Sequence, residues 1–122
     1  MSKFDESIAS YKTFMVEKLA DTNVNESLLI QIAQELGTAI FDSDASIVAC
    51  SDKGELGRIK QYFLLGRLGL TESPALDEAI KSVCKTMGTS NRKKYRVVFY
   101  YLLVKFFNAD ATILTPVVAN LY

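Results

Sequence analysis

Residues 90–107 read SNRKKYRVVFYYLLVKFF, and the fold turns on this stretch. From Val97 onward, apolar side chains fall on nearly every side of a helix. Tyr95, Phe99, Leu102 and Phe106 form one stripe, while Val97, Tyr101 and Val104 form another. A helix that is apolar almost all round has to be buried. A helix is therefore expected from near Ser90 and Asn91 to about Phe107, with residues 98–107 at the centre of the molecule. Its first turns, residues 91–96, are polar and must emerge at the surface.

Working upstream, the neighbouring segments carry complete helix signals. Ser73-Pro74 is a start, because serine caps and proline is tolerated at the first helical position. Leu76, Ile80, Val83 and Met87 follow at spacings of 4, 3 and 4, and Gly88 closes that helix. Another helix starts at Ser51-Asp52, with Glu55 three residues after Asp52. It sets Leu56, Ile59 and Phe63 on one side before Gly66 and Gly69 loosen it. Asn23 with Glu26 has capping-box form. Val24, Leu28, Ile32 and Leu36 then line one face, ended by Gly37. Nearest the N-terminus, Phe4, Ile8, Tyr11, Met15 and Leu19 make a single stripe, with Ser2 or Asp5 able to cap it. Between these helices, Asp42-Ser43-Asp44 reads as a turn. Residues 47–50 fit a strand or a helical turn; helix is preferred, since no partner strand is evident.

These segments add up to an all-α, compact multihelical single domain of five to six helices around the buried C-terminal helix. One domain spans residues 1–122, without repeats or Pro/Gly/Ser-rich linkers. Residues 108–122, apolar and broken by Pro116, read as a docked tail rather than a further helix. A chain of 122 residues can bury a core without metals or disulfides, and 49% hydrophobic with 23% charged content is that of a globular protein. Net charge is zero, but residues 1–80 sum to −6 and residues 81–122 to +6.

Composition removes several chemistries. With no histidine, Ser-His-Asp and Cys-His catalysis and the usual catalytic zinc sets are excluded. Cys50 and Cys84 are too few for a disulfide framework and read as reduced, buried core thiols. Residues 42–46 imitate the opening of a calcium loop. Ile47 and Lys53, however, stand where glycine and glutamate are required. Neither a phosphate-cradling glycine–lysine loop nor a dinucleotide fingerprint is present. The G-x-x-G matches at Gly54 and Gly66 lack the sheet of a KH domain. Ser82 with Lys85, and Ser90 with Lys93, match S-x-x-K at about the frequency chance provides. The expectation is accordingly no enzyme, no cofactor and no metal. The opening Met1-Ser2-Lys3-Phe4-Asp5-Glu6 has no apolar signal region, and no run approaches membrane-spanning length. A cytoplasmic protein without membrane association is expected.

One surface stands out. Asn91, Arg92, Lys93, Lys94, Tyr95 and Arg96 gather four cations around a tyrosine and an amide, at what reads as a helix N-terminus. Cations there oppose the helix dipole, so the charge asks for a purpose. Arg and Lys suit phosphate contacts and Tyr95 suits base stacking. The plain alternatives are pairing with the acidic first 80 residues, or simple solvation of an exposed turn.

Ala49-Cys50-Ser51-Asp52 with Glu55-Leu56, Leu68-Gly69-Leu70, residues 87–96 (MGTSNRKKYR) and Phe99-Tyr100-Tyr101-Leu102-Leu103 resemble a bacterial family of small proteins, the domain of unknown function 2853. The similarity runs from Met1 to about Phe107. It implies a bacterial, cytoplasmic, all-helical single domain without an assigned activity, and it carries over no site residues. The tail after Phe107 is longer and more apolar than the resemblance implies. Function is expected to be that of a non-enzymatic binding or interaction module whose partner is not identified, a protein partner or self-association being the candidates. The alternatives are polyanion or nucleic-acid binding through residues 91–96, and a homo-oligomer using residues 113–122.

Overall fold

The computed structural model describes residues 2–115. Its helices are α1 (Lys3–Leu19), α2 (Glu26–Leu36), α3 (Lys53–Arg58), α4 (Pro74–Met87), α5 (Arg96–Phe106) and α6 (Asp110–Leu114). A 3-10 turn, Gly37–Phe41, follows α2, and α3 runs without a break into a π-helix, Ile59–Arg67. Among the described residues there is no strand, and the all-α expectation holds.

Helix α5 lies where the centre was expected, packed against α1, α2 and α4. Val97, Val98, Phe99, Tyr101, Leu103 and Val104 are buried. Each large apolar side chain removed from water contributes about 1.5–3 kcal/mol before entropy is counted. The burial stops short of Phe107, however. Phe106 is 49% exposed and Lys105 faces solvent, so the last turn leaves the core. The start also differs. The helix begins at Arg96, because residues 91–94 are consumed by a loop and Tyr95 by a β-bridge.

That bridge corrects the helical preference for residues 47–50. Ile47 pairs antiparallel with Tyr95. The Val48 N–H donates to the Lys94 carbonyl at 2.8 Å, and the Arg96 N–H to the Ser46 carbonyl at 2.8 Å. The missing partner strand was a single residue, hidden at the edge of an expected helix.

The stripes of α1, α2 and α4 face inward. Ile8, Tyr11 and Met15, then Leu28 and Ile32, then Leu76, Ile80, Val83 and Met87 are all buried. Ser2 caps α1 by accepting from the Asp5 N–H. The cap of α2 is Asn25, whose Oδ1 accepts from the Leu28 N–H at 3.1 Å, and not Asn23. In the π segment the wider turn brings the consecutive residues Phe63 and Leu64 both into the core, beside Ile59. Runs of this geometry are rare and usually a single turn. Phe63 stacks on Tyr100 at 4.0 Å between ring centroids.

The expected docked tail begins as a helix: α6 packs against α2 and buries Ile113. Residues 116–122 of that tail lie outside the described residues. No helix is long and apolar enough to cross a membrane among the described residues.

The cysteines overturn their reading as reduced core thiols. Cys50 and Cys84 form a disulfide, with Cα atoms 6.0 Å apart, a separation suited to the bond. Both are only partly buried. Counting cysteines could not reveal the pair, because α3, the π-helix and α4 fold back and return Cys84 to the connection before α3.

Candidate functional site

The connection between α4 and α5 is built by Asn91. Gly88, at φ +102°, ends α4 in a conformation that only glycine adopts easily. Asn91 then donates its amide to the Met87 carbonyl at 3.0 Å and accepts from the Lys93 N–H at 2.8 Å. Lys94 turns inward. It is 6% exposed, and its Nζ donates to the Asn91 carbonyl at 2.6 Å. A buried ammonium needs such an acceptor.

Tyr95 packs edge-on against Tyr11 and Phe14, with centroids 5.1 and 5.9 Å away. Arg96 reaches back across the 42–50 connection. Its Nε donates to the Ala45 carbonyl at 2.6 Å and its Nη2 to the Ile47 carbonyl at 2.9 Å. The same Nη2 pairs with Glu55, and Nη1 donates to the Tyr100 hydroxyl.

The six expected site residues thus divide. Asn91, Lys94, Tyr95 and Arg96 hold the local structure together. Arg92 and Lys93 are exposed and form no ion pair among the described residues. Since α5 starts at Arg96 with Tyr95 as its N-cap, Arg92 and Lys93 lie ahead of the cap, where the opposing dipole is weaker, while Lys94 and Arg96 remain next to it. Of the cluster, one cation meets the acidic half directly, through Arg96 and Glu55.

A groove of about 610 Å³ opens between this loop and residues 47–51. Arg92, Thr89 and Ser90 line one side, Val48 and Ala49 the other, and both cysteines border it. Arginine is always cationic and presents a donor fork, and the two hydroxyls can donate as well. The concavity therefore offers an anion several donors.

Across the 42–50 connection lies a second, acidic groove of about 460 Å³, with Asp42, Asp44, Asp52 and Glu55 on its walls. Three of these carboxylates already have partners. Asp42 accepts from the Asp44 and Ala45 N–H groups. The Ala45 and then the Asp44 hydrogen bond hold its carboxyl below the usual carboxylate range. Asp52 caps α3, and Glu55 binds Arg96 and Arg58. Residues 42–46 make the expected turn.

Sequence reasoning missed the Cys50–Cys84 pair and the groove hydroxyl of Thr89. Neither carries a spacing signal, because each depends on where α4 ends relative to the 47–51 segment. No curated protein matches this chain. A family model does: that of the "Protein of unknown function (DUF2853)" matches residues 10–111, most of the chain and the whole of this groove, and the protein belongs to that family.

Proposed function

We propose that the protein is a non-enzymatic binding module that takes an anionic ligand in the groove between residues 47–51 and 89–94. The single observation that carries this reading is Arg92. It is exposed, pairs with no carboxylate among the described residues, and lines a groove with three hydroxyl-bearing residues, Ser51, Thr89 and Ser90. An arginine kept free of internal partners beside such donors suits a phosphate or carboxylate. Lys93, next to it and also exposed, adds to the positive potential. Tyr95 is committed to Tyr11 and Phe14, so base stacking on it is not part of the reading.

The test is a fluorescence-anisotropy titration with random single-stranded DNA and RNA at two salt concentrations. Binding that weakens steeply with salt and is lost in an Arg92→Ala, Lys93→Ala variant supports the polyanion reading. Lys94 and Arg96 stay intact in that variant, because they hold the fold. No binding even at low salt retires nucleic acid and moves the test to small phosphates and carboxylates and to protein partners.

A second reading is self-association. Phe106, at the end of α5, and Leu114, at the end of α6, are 49% and 39% exposed. Exposed apolar surface of this kind marks association sites. Light scattering on the full chain, and on a chain lacking residues 116–122, decides it: a monomeric full chain ends this reading.

A further inference from the structure

We propose that Cys50–Cys84 is a reversible redox clamp: a disulfide that thiols reach through the groove, and whose reduction frees one groove wall while the helical fold stays intact. Two independent features carry the inference. Both cysteines border an open groove and are only partly buried, so the bond faces a path from solvent. Disulfides reached in this way are the reducible ones.

The second feature is what the bond holds. On one side, Cys84 sits in α4, which is anchored through Leu76, Ala79, Ile80, Val83 and Met87 whatever the state of its sulfur. On the other, the chain around Cys50 is held at its two ends. Arg96 grips Ala45 and Ile47, and Val48 bonds to Lys94. Asp52 begins α3 as its cap. Between those ends, the one backbone hydrogen bond of residues 49–51 among the described residues is local, from the Asp52 N–H to the Ala49 carbonyl. The disulfide is what ties this short segment to α4. Breaking it releases residues 49–51, the wall facing Arg92, while the buried residues of α4 keep their own packing.

The chemistry balances with a small-molecule thiol as reductant. Its thiolate attacks one sulfur, the S–S bond breaks, and a mixed disulfide forms as the other cysteine leaves as thiolate. A second thiol attacks the mixed disulfide and departs as the oxidised dimer. Two reductant thiols are oxidised, and Cys50 and Cys84 end as two protonated or ionised thiols.

The experiment uses the full oxidised chain in a series of dithiothreitol redox buffers. Alkylation followed by mass spectrometry counts free thiols, far-UV circular dichroism follows the helices, and hydrogen exchange follows single amides. Reduction is expected at one midpoint, with two alkyl groups gained and the helical signal retained. The Asp52 amide should exchange at least about tenfold faster in the reduced protein, while amides of residues 100–104 keep their protection. The Cys50→Ser, Cys84→Ser double variant should fold and reproduce that exchange pattern. Alkylation no faster than global unfolding would overturn the proposal. So would an unchanged Asp52 amide, a double variant that does not fold, or a purified chain in which the two cysteines never pair under oxidising conditions.

Discussion

Glu55, in the first turn of α3, and Arg96, the first residue of α5, form an ion pair across 41 positions of sequence, with side chains 15% and 14% exposed. The arginine also holds the carbonyls of Ala45 and Ile47. One guanidinium therefore joins the start of two helices to the connection that walls the groove. Because these groups are largely removed from water, each depends on the others for the hydrogen bonds that solvent no longer supplies.

Arg96→Ala leaves Glu55 and two backbone carbonyls short of donors at once. Removing one partner of a buried ion pair costs about 3–5 kcal/mol. Glu55→Gln keeps an acceptor of the same shape and leaves the carbonyl contacts in place, so about 1–3 kcal/mol is expected. Urea denaturation of both variants measures the difference. If Arg96→Ala fell within about 1 kcal/mol of the parent, the guanidinium would not be the joint described here.

Tyr101 is the one aromatic residue of α5 whose hydroxyl is committed to the backbone of another helix. It accepts from the Asn25 N–H at 2.8 Å, at the cap of α2. Burial raises its phenol above the usual tyrosine value, which keeps the hydroxyl neutral in the ordinary pH range. Tyr101→Phe leaves that N–H without its acceptor, and a loss of about 1–2 kcal/mol follows, read from the urea midpoint at unchanged slope. A midpoint equal to the parent's would mean that water replaces the hydroxyl without cost.

Much of the helical frame was legible because periodicity is local. The stripes of α1, α2 and α4 can each be read within four or five turns, and burial follows them. The failures occur where a long-range contact decides. Ile47 and Tyr95 pair across 48 positions, so the strand character of one is invisible without the other. The same contact removes residues 91–95 from α5 and turns Lys94 and Tyr95 inward. Of the candidate site, residues 91–96 were legible as a cluster. Which members stay free was not, since that depends on Glu55, Ala45, Tyr11 and Phe14. Cys50 and Cys84 were legible as residues and illegible as a pair for the same reason.

The caps of α2 separate local from structural reading in one measurement. Asn23 and Asn25 both precede the helix, and only Asn25 accepts from an N–H of its first turn. Asn23 is exposed, and its N–H donates to the Asp21 carboxylate. Asn25→Ala should cost about 1 kcal/mol, whereas Asn23→Ala should stay within about 0.5 kcal/mol. Paired thermal melts of the two variants check this. Equal losses would return the cap to Asn23.

The pH dependence is expected to centre on Glu35. Arg67, in the π segment, donates Nε and Nη2 to its two carboxylate oxygens, each at 2.8 Å, and Nη1 to the Thr112 carbonyl in α6. The hydrogen bond from Arg67 is the main cause holding the Glu35 carboxyl below its ordinary value, with a smaller contribution from Gln31. A depressed carboxyl stabilises the folded state above its unfolded value near 4.5, and that stabilisation disappears as pH falls through the folded value. Arg67 stays cationic throughout, so the carboxylate alone sets the window. The pair is part-exposed, with side chains 32% and 29% accessible. Solvent screening therefore holds its contribution below about 1 kcal/mol. Glu35→Gln should melt below the parent at about pH 6, and the gap should narrow as pH falls below 4.5 through the folded value, where the parent loses the same interaction. Asp42, also depressed, titrates identically in both proteins and cancels from the comparison. A gap between the two melting curves that does not change across this range would mean that the fork joining α2, the π segment and α6 acts through shape, with no contribution from its charge.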